Sequence, residues 1–295
     1  MSGTSAAELT RTAGSHVISL GGRDVHLLVQ PGQGPPLVLL GGCAVPSYAF
    51  RRVVARLSGR WTVVLDRPGL VRTRWPGHLP TLAEEVGTLA DLVEVLGEPA
   101  VVVAHSMAGP HVEALVRLHP GTVRGLVLLD ASVEVSADAP HAAIEEAWLR
   151  ASRLTLEGAR FAPVASAASV AARLMVWGQS QRLHLANAQP PRAREVFTRP
   201  DSLASVVAEQ AAYASQLADL QDLLATTTWP DGVSSLVLTA GTRAGWVRKQ
   251  RVLADRLGAR QVVVDDSRHL MMVDRPDVVA DAVLAMVREG DDPAA

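Results

Sequence analysis

A single cysteine, Cys43, stands in 295 residues, so the chain can form no intrachain disulfide and no metal site built on several thiolates. Lys249 is the only lysine among 28 basic residues, against 30 acidic ones, and the formal net charge is -2. With the charges dispersed and no basic run, neither a nucleic-acid footprint nor a polybasic membrane patch is present. Aromatic residues make up only 4% of the chain. No apolar run reaches the length of a membrane span, and residues 1–14 lack the apolar centre of a signal peptide. These absences lead us to expect a cytoplasmic protein that meets neither membrane nor nucleic acid and acts on a small apolar molecule, with a homodimer left open. What the chain does have is 48% hydrophobic residues, enough for one large core or a core with an inserted subdomain.

β-favouring runs at His16–Leu20 and Val25–Val29, separated by Gly21-Gly22, predict a hairpin. Leu37–Leu40 is a short, wholly apolar run of the kind buried on both faces of a parallel sheet. From there strand-like and helix-like patterns alternate: a helix over 47–57, a strand over 61–66, a helix over 81–96 opened by the capping box Thr81/Glu84, a strand at 101–103, and a strand over 123–130. That rhythm predicts a mostly parallel sheet wound by right-handed crossovers. It breaks between residues 133 and 229, where Ala, Arg and Leu recur at helical spacing. A helical insertion is expected there, with one helix capped by Asp201 or Ser202. Trp148, Phe161, Met175, Trp177, Phe197 and Tyr213 are read mainly as packing between its helices, and some of them as lining for an apolar pocket. Strand and helix alternate again at 234–240, 246–257, 261–265 and 276–288, giving eight strands in all. The division expected is a core over 15–132 and 230–289, an insertion over 133–229, and flexible termini at 1–14 and 290–295.

The most informative stretch is Val101 to Gly109, where a β-branched run ends in Ala104-His105-Ser106-Met107-Ala108 and passes into a helical pattern. A serine at a sharp strand-to-helix turn projects above the carboxyl edge of a sheet, and the residues two before and two after it must be small. Ala104 and Ala108 meet that demand, although glycine is usual at both places. With Leu115–Pro120 after it, this stretch resembles the nucleophile elbow of the α/β-hydrolase superfamily, and the resemblance extends over roughly residues 15–289. It implies an eight-stranded α/β-hydrolase fold with a helical lid inserted after the sixth strand, and Ser106 as nucleophile.

A serine hydroxyl needs a base within hydrogen-bond reach and a third group to orient that base. His269 lies between the last strand and the last helix, where the superfamily places its histidine. The superfamily's usual Gly-x-x-Asp after the penultimate strand reads Gly241-Thr242-Arg243-Ala244 here, with no acid. Some members carry the acid one strand earlier, and Asp130 in Leu129-Asp130-Ala131 stands at that place. The other carboxylates nearby, Asp265 and Asp266, lie too close to His269 on one loop to reach its far nitrogen easily. The resemblance assigns two backbone donors for a developing oxyanion: the Met107 N–H, and the Cys43 N–H in Gly41-Gly42-Cys43-Ala44, where the family typically has His-Gly. His105, His119 and the Asp66-Arg67-Pro68-Gly69 turn are read as structural.

No metal-binding spacing and no phosphate loop occurs, so no metal and no cofactor is expected. A serine at the elbow argues against dehalogenase or epoxide hydrolase chemistry, which needs an aspartate there in this fold. The leading expectation is a serine hydrolase of esters, thioesters or lactones. The alternatives are a cofactor-independent lyase or cyclase that uses the same groups for proton transfer, and a non-catalytic receptor of the same fold.

Overall fold

The computed structural model describes residues 5–133, 140, 142–167, 170, 178–180 and 196–291. Its eight strands are β1 (Gly14–Leu20), β2 (Arg23–Gln30), β3 (Gln33–Leu40), β4 (Arg60–Asp66), β5 (Ala100–His105), β6 (Val123–Leu129), β7 (Ser234–Ala240) and β8 (Arg260–Val264). They form one sheet in the order β1-β2-β4-β3-β5-β6-β7-β8. The expected hairpin is the antiparallel pair β1/β2; β2 also runs antiparallel to β4, and every later pairing is parallel.

The wholly apolar strands follow from this geometry, because successive side chains leave a strand on opposite faces and both faces are covered. Val38, Leu40, Val102, Ala104, Leu126 and Leu128 enter one core, while Leu37, Leu39, Val101, Val103, Val127 and Leu129 enter the other. On the first side lie α1 (Ala6–Thr10), α3 (Leu82–Leu96), α4 (Ala108–Leu118) and α7 (Ala244–Arg256). On the second lie α2 (Arg51–Arg56), entered through a 3-10 turn at Ser47–Phe50, then α8 (Met271–Asp274) and α9 (Pro276–Asp291). Each fully buried Leu or Val contributes about 1.5–3 kcal/mol, so the two cores fix the sheet and hold its carboxyl edge still. The expected capping box at Thr81/Glu84 is present, with Thr81 Oγ1 accepting the Glu84 N–H at 3.2 Å and Glu84 Oε2 accepting the Thr81 N–H at 2.9 Å.

Residues 6–10, inside the expected terminus, form α1. Ser5 and Glu8 cap it reciprocally, and the Trp61 indole N–H donates to Thr10 O at 2.6 Å, so the segment is docked on the core. Within the insertion, α5 (Ala142–Gly158) packs against α6 (Pro200–Thr226). α6 starts at Pro200 with Arg199 as N-cap, because proline suits the first helical position. Neither Asp201 nor Ser202 caps it; the Ser202 hydroxyl instead donates to Gly69 O in the core. Trp148 and Phe161 are exposed and do not pack between helices, whereas Phe197 is buried beside Leu70 and Val196. Met175 and Trp177 lie outside the described residues.

Candidate active site

Ser106 sits between β5 and α4 with φ +53°, a left-handed conformation that a serine adopts only under constraint. Its N–H donates to Leu129 O, and its carbonyl accepts from Gly109 N and Ser132 N, which fixes the turn from both sides. Ala104 and Ala108 are fully buried where strand and helix converge. Gly109 permits a close approach of its own: a Cβ there would stand 2.6 Å from Ala131 Cβ.

The loop before α8 brings His269 over the serine. His269 Nε2 lies 2.9 Å from Ser106 Oγ, and His269 Nδ1 lies 2.7 Å from Asp130 Oδ2. Asp130 follows β6, also at positive φ, +45°. Its other oxygen, Oδ1, accepts the Ala240 N–H at 3.0 Å and the Trp246 Nε1–H at 2.6 Å. The carboxylate is therefore held by two donors on one oxygen while it presents the other to the imidazole. Its side chain is 4% exposed against 29% for His269. The structure thus brings Ser106, His269 and Asp130 into one hydrogen-bonded relay. Asp265 and Asp266 are not part of it; Asp266 pairs with Arg275.

Gly42 approaches the serine so closely that a Cβ there would be 2.6 Å from Ser106 Cβ. Among the described residues, neither the Cys43 nor the Met107 N–H donates to a backbone carbonyl. Cys43 stands on the loop after β3, next to Gly42, and Met107 immediately follows Ser106. The Cys43 thiol is pushed well up from its ordinary value by burial and by the Glu209 carboxylate, so it stays a neutral thiol.

His105 does more than fill space. Its Nδ1 accepts the Gly42 N–H at 3.3 Å, which leaves the proton on Nε2, donated to the His269 carbonyl at 3.0 Å. Burial, aided by the neighbouring His269, holds its pKa well below the ordinary value, so the ring stays neutral and keeps one donor and one acceptor. Asp66, read as structural, accepts the Ser47 N–H at 2.6 Å and contacts His26 Nδ1 at 2.6 Å. His119 follows α4 as its C-cap, away from the relay.

A cleft of about 600 Å3 opens on the His269 ring, lined also by Asp130, Gln179, Thr242, Arg243, Trp246 and Arg268. Its wall is mixed in character, with the indole as the apolar surface. Trp246 is the functional residue that sequence reasoning missed. It lies two residues beyond Ala244, which stands where an acid was expected, and its indole N–H donates to Asp130. A tryptophan next to a missing carboxylate was the available signal. Among the described residues no group of three or more metal-ligating side chains occurs, and no helix is long and apolar enough to cross a membrane.

Comparison with solved structures finds an esterase from Thermogutta terrifontis, malate bound, at 20% identity, covering 95% of this chain and 100% of that one with a TM-score of 0.71. It also finds the enol-lactonase from Burkholderia xenovorans, at 20% identity, 92% and 100% coverage and a TM-score of 0.68. A haloalkane dehalogenase loop variant from Bradyrhizobium elkanii is similar too, at 18% identity, 94% and 97% coverage and a TM-score of 0.62. At such identities these likenesses concern the fold. Among curated protein sequences none matches. The model of the alpha/beta hydrolase family, however, matches residues 15–282, and with that span, this sheet and this elbow the chain belongs to the alpha/beta hydrolase family.

Proposed function

We propose that the protein is a serine hydrolase that cleaves a carboxylic ester, thioester or lactone of a small molecule through an acyl-enzyme on Ser106. The observation that carries this reading is the relay itself, 2.9 Å from hydroxyl to imidazole and 2.7 Å from imidazole to carboxylate. His269 Nε2 takes the Ser106 proton as Oγ bonds to the substrate carbonyl carbon. Asp130 holds the ring in orientation and stabilises the imidazolium that forms. The Cys43 and Met107 N–H groups receive the charge that develops on the carbonyl oxygen. As the tetrahedral species collapses, the carbon-to-leaving-group bond breaks and His269 returns the proton to the departing atom. Water then attacks the acyl-enzyme with His269 as base, releasing the acid and restoring Ser106. The helical insertion acts as the lid over this site, and the cleft beside His269 accommodates part of the substrate.

The malate-bound esterase and the enol-lactonase of the same fold agree with this reading. Serine at the elbow sets it apart from dehalogenase chemistry. The test is intact mass after incubation with a fluorophosphonate, together with hydrolysis of a panel of esters, thioesters and lactones. One adduct on the native chain is expected, absent from Ser106→Ala and formed far more slowly in Asp130→Asn. A folded native protein that takes no label and turns over none of the panel would overturn the proposal. A product that retains every substrate atom without added water would instead favour a lyase or cyclase working with the same three residues.

A further inference from the structure

A buried charge cluster lies beside the relay and takes no part in it. Arg67 follows β4, Glu85 is on α3 and Glu209 is on α6; they are 2%, 5% and 1% exposed. Arg67 Nη2 is 3.0 Å from Glu209 Oε1, and Arg67 Nε is 3.8 Å from Glu85 Oε2. Arg23 Nη2 donates to Glu85 Oε1 at 2.9 Å. Glu85 Oε2 is 4.0 Å from His111 Nδ1, and His111 Nε2 is 2.9 Å from Gln216 Oε1. Glu209 and Gln216 both belong to α6, so this chain of contacts leaves the insertion helix, crosses the core and returns to it. Two arginines balance two carboxylates in it only while Glu209 is ionised.

The end of the cluster at Glu209 reaches the machinery proposed for the reaction. Arg67 Nη2 contacts Met107 Sδ at 3.6 Å. Burial, with the Glu85 charge adding to it, pushes the Glu209 carboxyl above its ordinary value, while Arg67 and the hydrogen bonds from the Cys43 thiol and the Ala44 N–H work against that shift. Ala44 has φ +59°, a conformation that a non-glycine residue keeps only when its surroundings impose it. Further contacts tie together the frame that carries these groups. The Ser202 hydroxyl donates to Gly69 O at 2.6 Å, the Ser205 hydroxyl donates to Pro68 O, and Cys43 Sγ lies 3.9 Å from Val206 O. α6 is thus bonded to the turn that carries Arg67, and its glutamate stands against the loop that carries Cys43.

We propose that Glu209 is a positioning residue for the reaction: fixed by Arg67, its carboxylate holds the Cys43-Ala44 loop and Met107 at the separation their N–H groups need to meet the developing oxyanion. The inference rests on the hydrolase reading. It makes α6 a working part of the site as well as a cover over it. A residue of this kind affects the transition state more than the bound substrate, because the oxyanion forms only as the bond to Ser106 forms.

The test is steady-state kinetics on a neutral p-nitrophenyl ester with the full-length wild type, Glu209→Gln, Glu209→Asp, and Asp222→Asn as a control at an exposed carboxylate further along α6. Misplacing an oxyanion donor costs less than deleting it, so Glu209→Gln is expected to lose about 30-fold in kcat. KM should stay within about threefold, because ground-state binding is not what the loop controls. Affinity for a trifluoromethyl ketone analogue should fall by the same factor as kcat/KM. Glu209→Asp, which keeps a carboxyl but withdraws it from the loop, should fall between wild type and Glu209→Gln, and the control should match wild type. A purely structural role would lower the thermal midpoint and leave the kcat/KM split and the analogue affinity unmoved, and that result overturns the proposal. If Glu209→Gln does not fold, Glu209→Asp decides: wild-type kcat refutes positioning, and reduced kcat at unchanged KM supports it. A wild type that neither hydrolyses esters nor reacts with fluorophosphonate refutes the hydrolase reading and this inference together, whereas an active wild type with an active Glu209→Gln refutes this inference alone.

Discussion

His105 and His269 stand with ring centroids 4.5 Å apart, tilted by 50°, and His105 Nε2 lies 3.0 Å from the carbonyl of His269. Through its other nitrogen the same ring holds the Gly42 N–H, so one neutral imidazole braces both the His269 backbone and the loop opposite Ser106. Replacing it by leucine leaves a buried donor and a buried acceptor unmet. Each such loss is worth about 1 kcal/mol, so His105→Leu should lower kcat roughly tenfold and destabilise the fold by about 2 kcal/mol. His105→Gln offers one acceptor and one donor and should recover part of both. Steady-state kinetics and urea unfolding of the two variants measure this, and equal loss in both would refute the bridging role.

Trp246 should matter through a single hydrogen bond. Its indole N–H is one of two donors on Asp130 Oδ1, the other being the Ala240 amide. Trp246→Phe keeps most of the ring volume and removes the donor. A hydrogen bond to a charged group is worth about 1.5–3 kcal/mol, and part of that is felt when the imidazolium leans on Asp130, so kcat should drop about tenfold. If kcat is unchanged while the variant stays folded, the Ala240 amide alone suffices to hold the acid.

A pH dependence of stability follows from His111. Burial and the nearby Arg67 push its pKa down to about 4, while an unfolded histidine titrates near 6.5. Between those values the unfolded chain binds more protons than the folded one, so stability rises with pH across the window and is lost as pH falls from 6.5 toward 4. From pH 7 to pH 5 the loss attributable to this ring is about 2 kcal/mol. His105 titrates in the same direction, so the comparison must be differential: His111→Gln should show a shallower decline of its urea midpoint with falling pH than wild type. Parallel declines would mean that His111 does not carry it.

The legible parts of this chain were those governed by period and position. Leu37–Leu40 and Val101–Val103 read as strands because both of their faces are buried, and Ser106 read as an elbow because Ala104 and Ala108 are small. With Ala244 where an acid is usual, Asp130 is the carboxylate that the order of strands offers, and its Oδ2 lies 2.7 Å from His269 Nδ1. What could not be read were contacts made across the fold by residues far apart in sequence. Ala244, two residues before Trp246, marks the place of an absent acid, but only the fold carries the indole to Asp130, and nothing near Glu209 says that it meets Arg67. The first turn of α6 misled for a related reason: Ser202 has the chemistry of a cap, yet tertiary packing turns its hydroxyl onto Gly69.

Gly42 offers the sharpest test of how closely the loop after β3 must approach Ser106. A Cβ at this position would lie 2.6 Å from Ser106 Cβ and 3.1 Å from Ser106 Oγ and His105 O, and two of these three atoms belong to backbone or to the rigid start of a side chain. None of them yields easily, since Ser106 is held at positive φ by its bonds to Leu129, Gly109 and Ser132. The loop must therefore retreat, taking the Cys43 N–H away from the serine. Overpacking of this kind costs about 1–3 kcal/mol in stability, within reach of a folded domain. On the proposed mechanism the loss in turnover should be larger, about a hundredfold in kcat, because the Cys43 N–H moves away from the developing oxyanion. Gly42→Ala should also slow fluorophosphonate labelling, whose tetrahedral transition state needs the same donors. A folded Gly42→Ala that labels at the native rate would mean that the close approach serves packing alone, and that the donors for the oxyanion lie elsewhere.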